Sequence, residues 1–67
     1  MSTRIKEARL KANMSQEELA KKSGITRQTI SALENGTHRN VMTKTLIAIA
    51  NALGVSLDTI FFEVDDQ

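Results

Sequence analysis

Apolar residues recur three and four positions apart through most of the chain, in short runs broken by Gly or Asn. That spacing predicts a succession of short amphipathic helices rather than strands. The first runs from Thr3 to about Lys11, capped by Thr3 or Ser2, with Ile5, Ala8 and Ala12 inward and Leu10 off the stripe. Asn13 takes the left-handed position at its end, and Met14 packs beneath the next element. The second helix opens on a capping box, in which Ser15 accepts from the N–H of Glu18 and the Glu18 carboxylate reaches back. Glu17 and Glu18 lie where the helix dipole is positive, and Lys21 and Lys22 where it is negative. Gly24 supplies the positive φ of a sharp exit, Thr26 caps a third helix, and Gly36 stops it after Asn35. Leu19, Ala20, Ile25, Ile30 and Leu33 form the inward set of this pair. A fourth helix opens at Thr43 or Met42 and runs to Leu53, burying Met42, Leu46, Ile49, Ala50 and Leu53, with Ile47 to one side. Gly54 ends it. Ser56 then caps a fifth helix, Leu57 to about Phe62, whose Leu57, Ile60 and Phe61 close the core.

Length makes this one domain over residues 1–67, with the packed part at 3–62 and an acidic tail at 63–67. The expected class is all-α, a compact five-helix bundle. No Cys is present, so no disulfide or thiolate metal site is available. His38 has no second His or Cys near it, and neither a metal nor any other cofactor is expected. No segment has the length of a membrane span, and the N-terminus lacks a basic-then-apolar leader, so a cytoplasmic location is expected. The net charge is only +1, but its distribution matters more. All nine basic residues precede Ala48 beside only four acids, a net +5, and the four acids after it carry −4. Such polarity suits a basic working face with an acidic end held away from it.

The twenty residues Gln16 to Asn35 draw these features together. Two short helices meet at Ser23-Gly24-Ile25, and the outward face of the second carries Arg27, Gln28, Thr29, Ser31 and Ala32. That face is short, polar and nearly free of acids, as entry into a major groove requires. Gln16 opens the stretch, Ala20 stands fifth, Gly24 ninth and Ile30 fifteenth, and Glu34-Asn35-Gly36 closes it. With the later Ala52–Ser56 run, this resembles the lambda-repressor and Cro-type helix-turn-helix family, the xenobiotic-response-element class, over about residues 3–62.

The resemblance implies a lambda-repressor-like domain whose second and third helices form the helix-turn-helix. It implies a sequence-specific transcriptional regulator, a repressor, bound to double-stranded DNA as a homodimer on a palindromic operator. Base contacts fall to Thr26, Arg27, Gln28, Ser31 and Ala32, and phosphate contacts to Gln16, Asn35, Thr37, His38, Arg39 and Lys44. Gln16 could also steady Gln28. An ion pair between Arg9 and Glu34 is implied, tying the first helix to the third. Two adjacent aromatics cannot both face one core from a single short helix, so one is exposed: it either caps the end of its own monomer or joins a two-fold interface built from Phe61 or Phe62, Val64, Ile47 and Asn51. No nucleophile–base pair is evident, so no enzyme is expected, nor a small-molecule ligand. The alternative is a protein-interaction module or an antitoxin-type helix-turn-helix that binds a partner protein.

Overall fold

The computed structural model describes residues 2–37 and 42–62, and of Ser2, Phe61 and Phe62 the backbone alone. The order is β1 (Ser2–Thr3), α1 (Ile5–Lys11), α2 (Gln16–Ser23), α3 (Arg27–Asn35), α4 (Thr43–Leu53), α5 (Leu57–Ile60) and β2 (Phe61–Phe62). The five-helix, all-α fold expected from periodicity is the one the chain adopts, with a two-residue ribbon added at its ends. Helix α2 packs on both α3 and α4, while α1 lies against α3, α4 and α5. The core is almost wholly aliphatic: Ile5, Leu19, Ile30, Leu33, Leu46, Ile49, Ala50, Leu53 and Ile60 are buried together. Burying such branched side chains is worth about 1.5–3 kcal/mol each, which lets helices this short stay folded.

Four local expectations are corrected. Thr3 does not cap α1; it lies in β1, antiparallel to β2 with Thr3 opposite Phe61 and Ser2 opposite Phe62. Arg4 stands at the N-cap and makes no side-chain cap there, while its N–H donates to the Ile60 carbonyl at 2.8 Å. The same ribbon ends α5 at Ile60, two residues earlier than expected, because Phe61 and Phe62 turn their backbones to β1. Aromatic and β-branched residues suit that extended pairing. Met42 is 65% exposed as the N-cap of α4, one residue before the helix can turn its side chain inward. Ala12 is exposed, and Arg9 is the residue buried from the last turn of α1.

Other local features follow the sequence closely. Both arms of the Ser15/Glu18 capping box are made, at 3.0 and 2.9 Å. Asn13 has φ 59°, Leu10 is 56% exposed and Ile47 is 44% exposed. Among the described residues no helix is long and apolar enough to cross a membrane.

Candidate nucleic-acid interface

Helices α2 and α3 are joined by a turn that the sequence stiffens in three places. Gly24 sits at φ 75°, where a side chain would be strained. The Ser23 hydroxyl donates to the Leu19 carbonyl at 2.7 Å and accepts from the Ile25 N–H at 3.2 Å, bridging the end of α2 to the turn. The Thr26 hydroxyl then accepts from the Thr29 N–H at 3.2 Å and donates to the Thr29 hydroxyl at 3.0 Å. At the far end, Gly36 at φ 75° lets its own N–H reach Leu33 and the Thr37 N–H reach Ala32, closing α3 by two backbone bonds. Leu19, Ile30 and Leu33 are buried beneath. The result is a rigid nine-residue rod on a fixed neighbour.

Arg27 and Gln28 project outward from the start of α3 and are exposed, while Ser31 and Ala32 lie half-buried farther along. Thr26 is exposed, but its hydroxyl is already engaged in the cap. Asn35, Thr37 and Lys44 are exposed at the end of α3, just past it, and in the first turn of α4. The Thr37 hydroxyl turns back to the Ala32 carbonyl at 3.3 Å. His38 and Arg39 lie outside the described residues, as do Val64 and the side chains of Phe61 and Phe62. Ile47 and Asn51 are exposed on α4.

The Arg9–Glu34 pair is present and bidentate. Arg9 Nε donates to Glu34 Oε2 at 2.7 Å and Nη2 to Oε1 at 3.1 Å, with the two side chains 9% and 3% exposed. Arg9 Nη1 also donates to the Met14 carbonyl at 2.8 Å, so one guanidinium ties α1, the loop before α2 and the end of α3. The hydrogen bond to Glu34 raises the Arg9 pKa above its ordinary value, burial opposes this, and the carboxylate charge adds to it. Arg9 therefore remains a cation at any working pH. A carboxylate at a helix C-terminus opposes the dipole, and this cation offsets that.

Gln16 has partners other than the Gln28 expected from the sequence. Its side chain does not reach Gln28. Its Nε2 donates to Glu34 Oε1 at 3.0 Å, and its Oε1 accepts from Arg27 Nε at 3.4 Å. The signal in the sequence is chemical: a carboxylate near a helix C-terminus needs donors, and an amide opening the neighbouring helix can supply one.

The helix-turn-helix family pattern matches residues 5–60, which takes in all five helices. The chain belongs to the helix-turn-helix family. An uncharacterized HTH-type transcriptional regulator of Archaeoglobus fulgidus is 48% identical over 67 residues, covering 100% of this chain and 93% of its own. Among solved structures, the restriction-modification controller protein C.AhdI from Aeromonas hydrophila superposes with a TM-score of 0.80 at 34% identity, over 87% of this chain and 86% of that one. The restriction-modification controller protein C.Esp1396I, solved as a tetramer with its natural 35 base-pair operator, superposes at 0.70 and 44% identity, over 78% of this chain and 67% of that one.

Proposed function

We propose that this helix-turn-helix chain is a sequence-specific, double-stranded DNA-binding transcriptional regulator, a cytoplasmic repressor without catalytic activity. It acts as a single domain over residues 1–67. The observation that carries the reading is the outward start of α3, where Arg27 and Gln28 stand exposed on a rod held by caps at both ends. Arg27 offers a fork for guanine O6 and N7, and Gln28 a donor–acceptor pair for adenine N6 and N7. Thr26, Ser31 and Ala32 line the same groove more closely, Ala32 contributing at most contact with a thymine methyl. Gln16, Asn35, Thr37, His38, Arg39 and Lys44 take phosphates, which fixes register without reading sequence.

One such domain reads few base pairs, and a homodimer on two half-sites one helical turn apart supplies the missing specificity. Ile47 and Asn51 on α4, with Phe61 or Phe62 and Val64, form the proposed two-fold contact. The solved relatives support DNA binding as an assembly, since C.Esp1396I is a tetramer in complex with its natural operator. A docking module for a partner protein is the weaker reading, because such a helix exposes apolar residues, whereas α3 exposes arginine and glutamine at its start.

Selection of bound duplexes from a random DNA pool tests the proposal. A palindromic consensus with two half-sites is expected. Failure to enrich any sequence, with no retention of duplex DNA at low ionic strength, overturns it.

A further inference from the structure

The last carbonyls of a helix need partners from beyond its own ladder. At the end of α3 two backbone bonds supply some of them. The Thr37 N–H reaches the Ala32 carbonyl at 2.9 Å, and the Gly36 N–H reaches the Leu33 carbonyl at a longer 3.3 Å. The Leu33 carbonyl takes a second donor, the Thr3 hydroxyl of β1, at 3.1 Å. That bond is partly buried, and β1 packs against α3 around it. Thr3 is in turn held by its own strand. It stands opposite Phe61 in the ribbon, and the N–H of the next residue, Arg4, donates to the Ile60 carbonyl at 2.8 Å. Ile60 and Leu33 are both buried in the core, so the link is anchored at each end.

A β-branched hydroxyl suits this position twice over. Its shape fits an extended strand, and its stiff side chain keeps the O–H aimed at one acceptor. Asn35 and Thr37, to which phosphate contacts are assigned above, follow Leu33 on the same turn and just past it. Binding contacts need their donors placed to within about half an ångström, and Thr3 fixes the backbone that carries these two. We propose that Thr3 is a positioning residue for DNA binding, acting through the Leu33 carbonyl to seat the phosphate-contacting end of α3. This rests on the DNA-binding reading above. It gives the ribbon a share in operator affinity through a side chain that is turned inward onto α3.

Thr3→Val keeps the branched shape and removes the O–H, whereas Thr3→Ser keeps the O–H. Both variants, Asn35→Ala, and the double variant Thr3→Val, Asn35→Ala are compared with wild type. Affinities for the selected operator and its single-base-pair variants are measured across a salt series, alongside thermal melts and amide exchange by NMR. The Leu33 carbonyl retains the Gly36 N–H, so Thr3→Val should melt within a few degrees of wild type. It is expected to bind every duplex roughly three- to tenfold more weakly, with base preference intact, because phosphate contacts carry no sequence information. The salt slope should hold, since Asn35 and Thr37 are neutral and displace no counterion. In the free variant the Gly36 and Thr37 amides should exchange faster while those of the buried helices keep their protection. Thr3→Ser should restore both affinity and protection, and the losses in the double variant should fall short of multiplying.

Thr3→Ser as weak as Thr3→Val assigns the effect to packing and overturns the proposal. So does a melt that falls in step with affinity, a loss confined to one base pair, or losses that multiply in the double variant. A salt slope shallower by about one marks a lost cation instead, and also overturns it. Wild-type protein that binds duplex DNA while Thr3→Val binds equally well sinks this inference alone. Wild-type protein that retains no duplex at low ionic strength sinks the DNA-binding reading beneath it.

Discussion

Arg9→Ala removes three donor atoms from the interior at once: Nε and Nη2 on Glu34, and Nη1 on the Met14 carbonyl. Glu34 is left 3% exposed with a single remaining donor, the Gln16 amide. Hydrogen bonds to charged groups are worth about 1.5–3 kcal/mol each, about 3–6 kcal/mol for the two lost at the carboxylate, and the expected cost is about 3–5 kcal/mol. The same range applies when one partner of a buried pair is removed. Arg9 is 9% exposed, and water entering the vacated space favours the lower end. A 67-residue domain holds about 3–10 kcal/mol in all, so even the smaller loss is roughly a third of its stability or more. The chain has no Trp or Tyr, which makes far-ultraviolet circular dichroism in urea the natural assay. With slopes of about 1–3 kcal/mol per molar, the midpoint should fall by at least about 1 M. The double variant Arg9→Met, Glu34→Met should recover most of the loss, since it removes both charges and refills the space. A midpoint for Arg9→Ala within about 0.3 M of wild type refutes the reasoning about the pair. A double variant no more stable than Arg9→Ala assigns the loss to packing instead of the unpaired carboxylate.

Three further outcomes are expected. Thr26→Ala removes the oxygen that caps α3 and should cost about 0.5–2 kcal/mol by urea denaturation, with an unchanged midpoint denying the cap any energetic role. Gln28→Ala should lose about 1–3 kcal/mol of discrimination at one base position in a competition assay, and retained preference there removes Gln28 from the readers. Lys44→Ala should weaken binding to all duplexes alike and make the dependence of log affinity on log salt shallower by about one; a sequence-selective loss would place Lys44 at a base edge instead.

Much of the bundle was legible because its determinants are local. A capping box spans four residues, a left-handed Gly acts on its own turn, and a helical stripe repeats within one turn. Ser15 with Glu18, Thr26 at the head of α3 and the inward set from Leu19 to Leu33 all have this character. The outward position of Arg27 and Gln28 was legible for the same reason: once Ile30 and Leu33 face inward, the helical period turns residues 27 and 28 away. Thr3 was misread by the same local logic. A hydroxyl before an amphipathic run looks like a cap, yet this O–H donates to the Leu33 carbonyl at 3.1 Å, thirty residues away.

By itself the sequence determined the five helices, their order, most of their stops and the aliphatic core, because those follow from hydrophobic period and backbone preference within a few residues. Only the tertiary structure decided that Ser2–Thr3 and Phe61–Phe62 pair as a ribbon and cut α5 at Ile60. Only it, too, turned the Gln16 amide to Glu34 and Arg27 rather than to Gln28. Each of these rests on a donor meeting an acceptor from a distant part of the chain, and which of several polar neighbours it meets is set by how the helices pack.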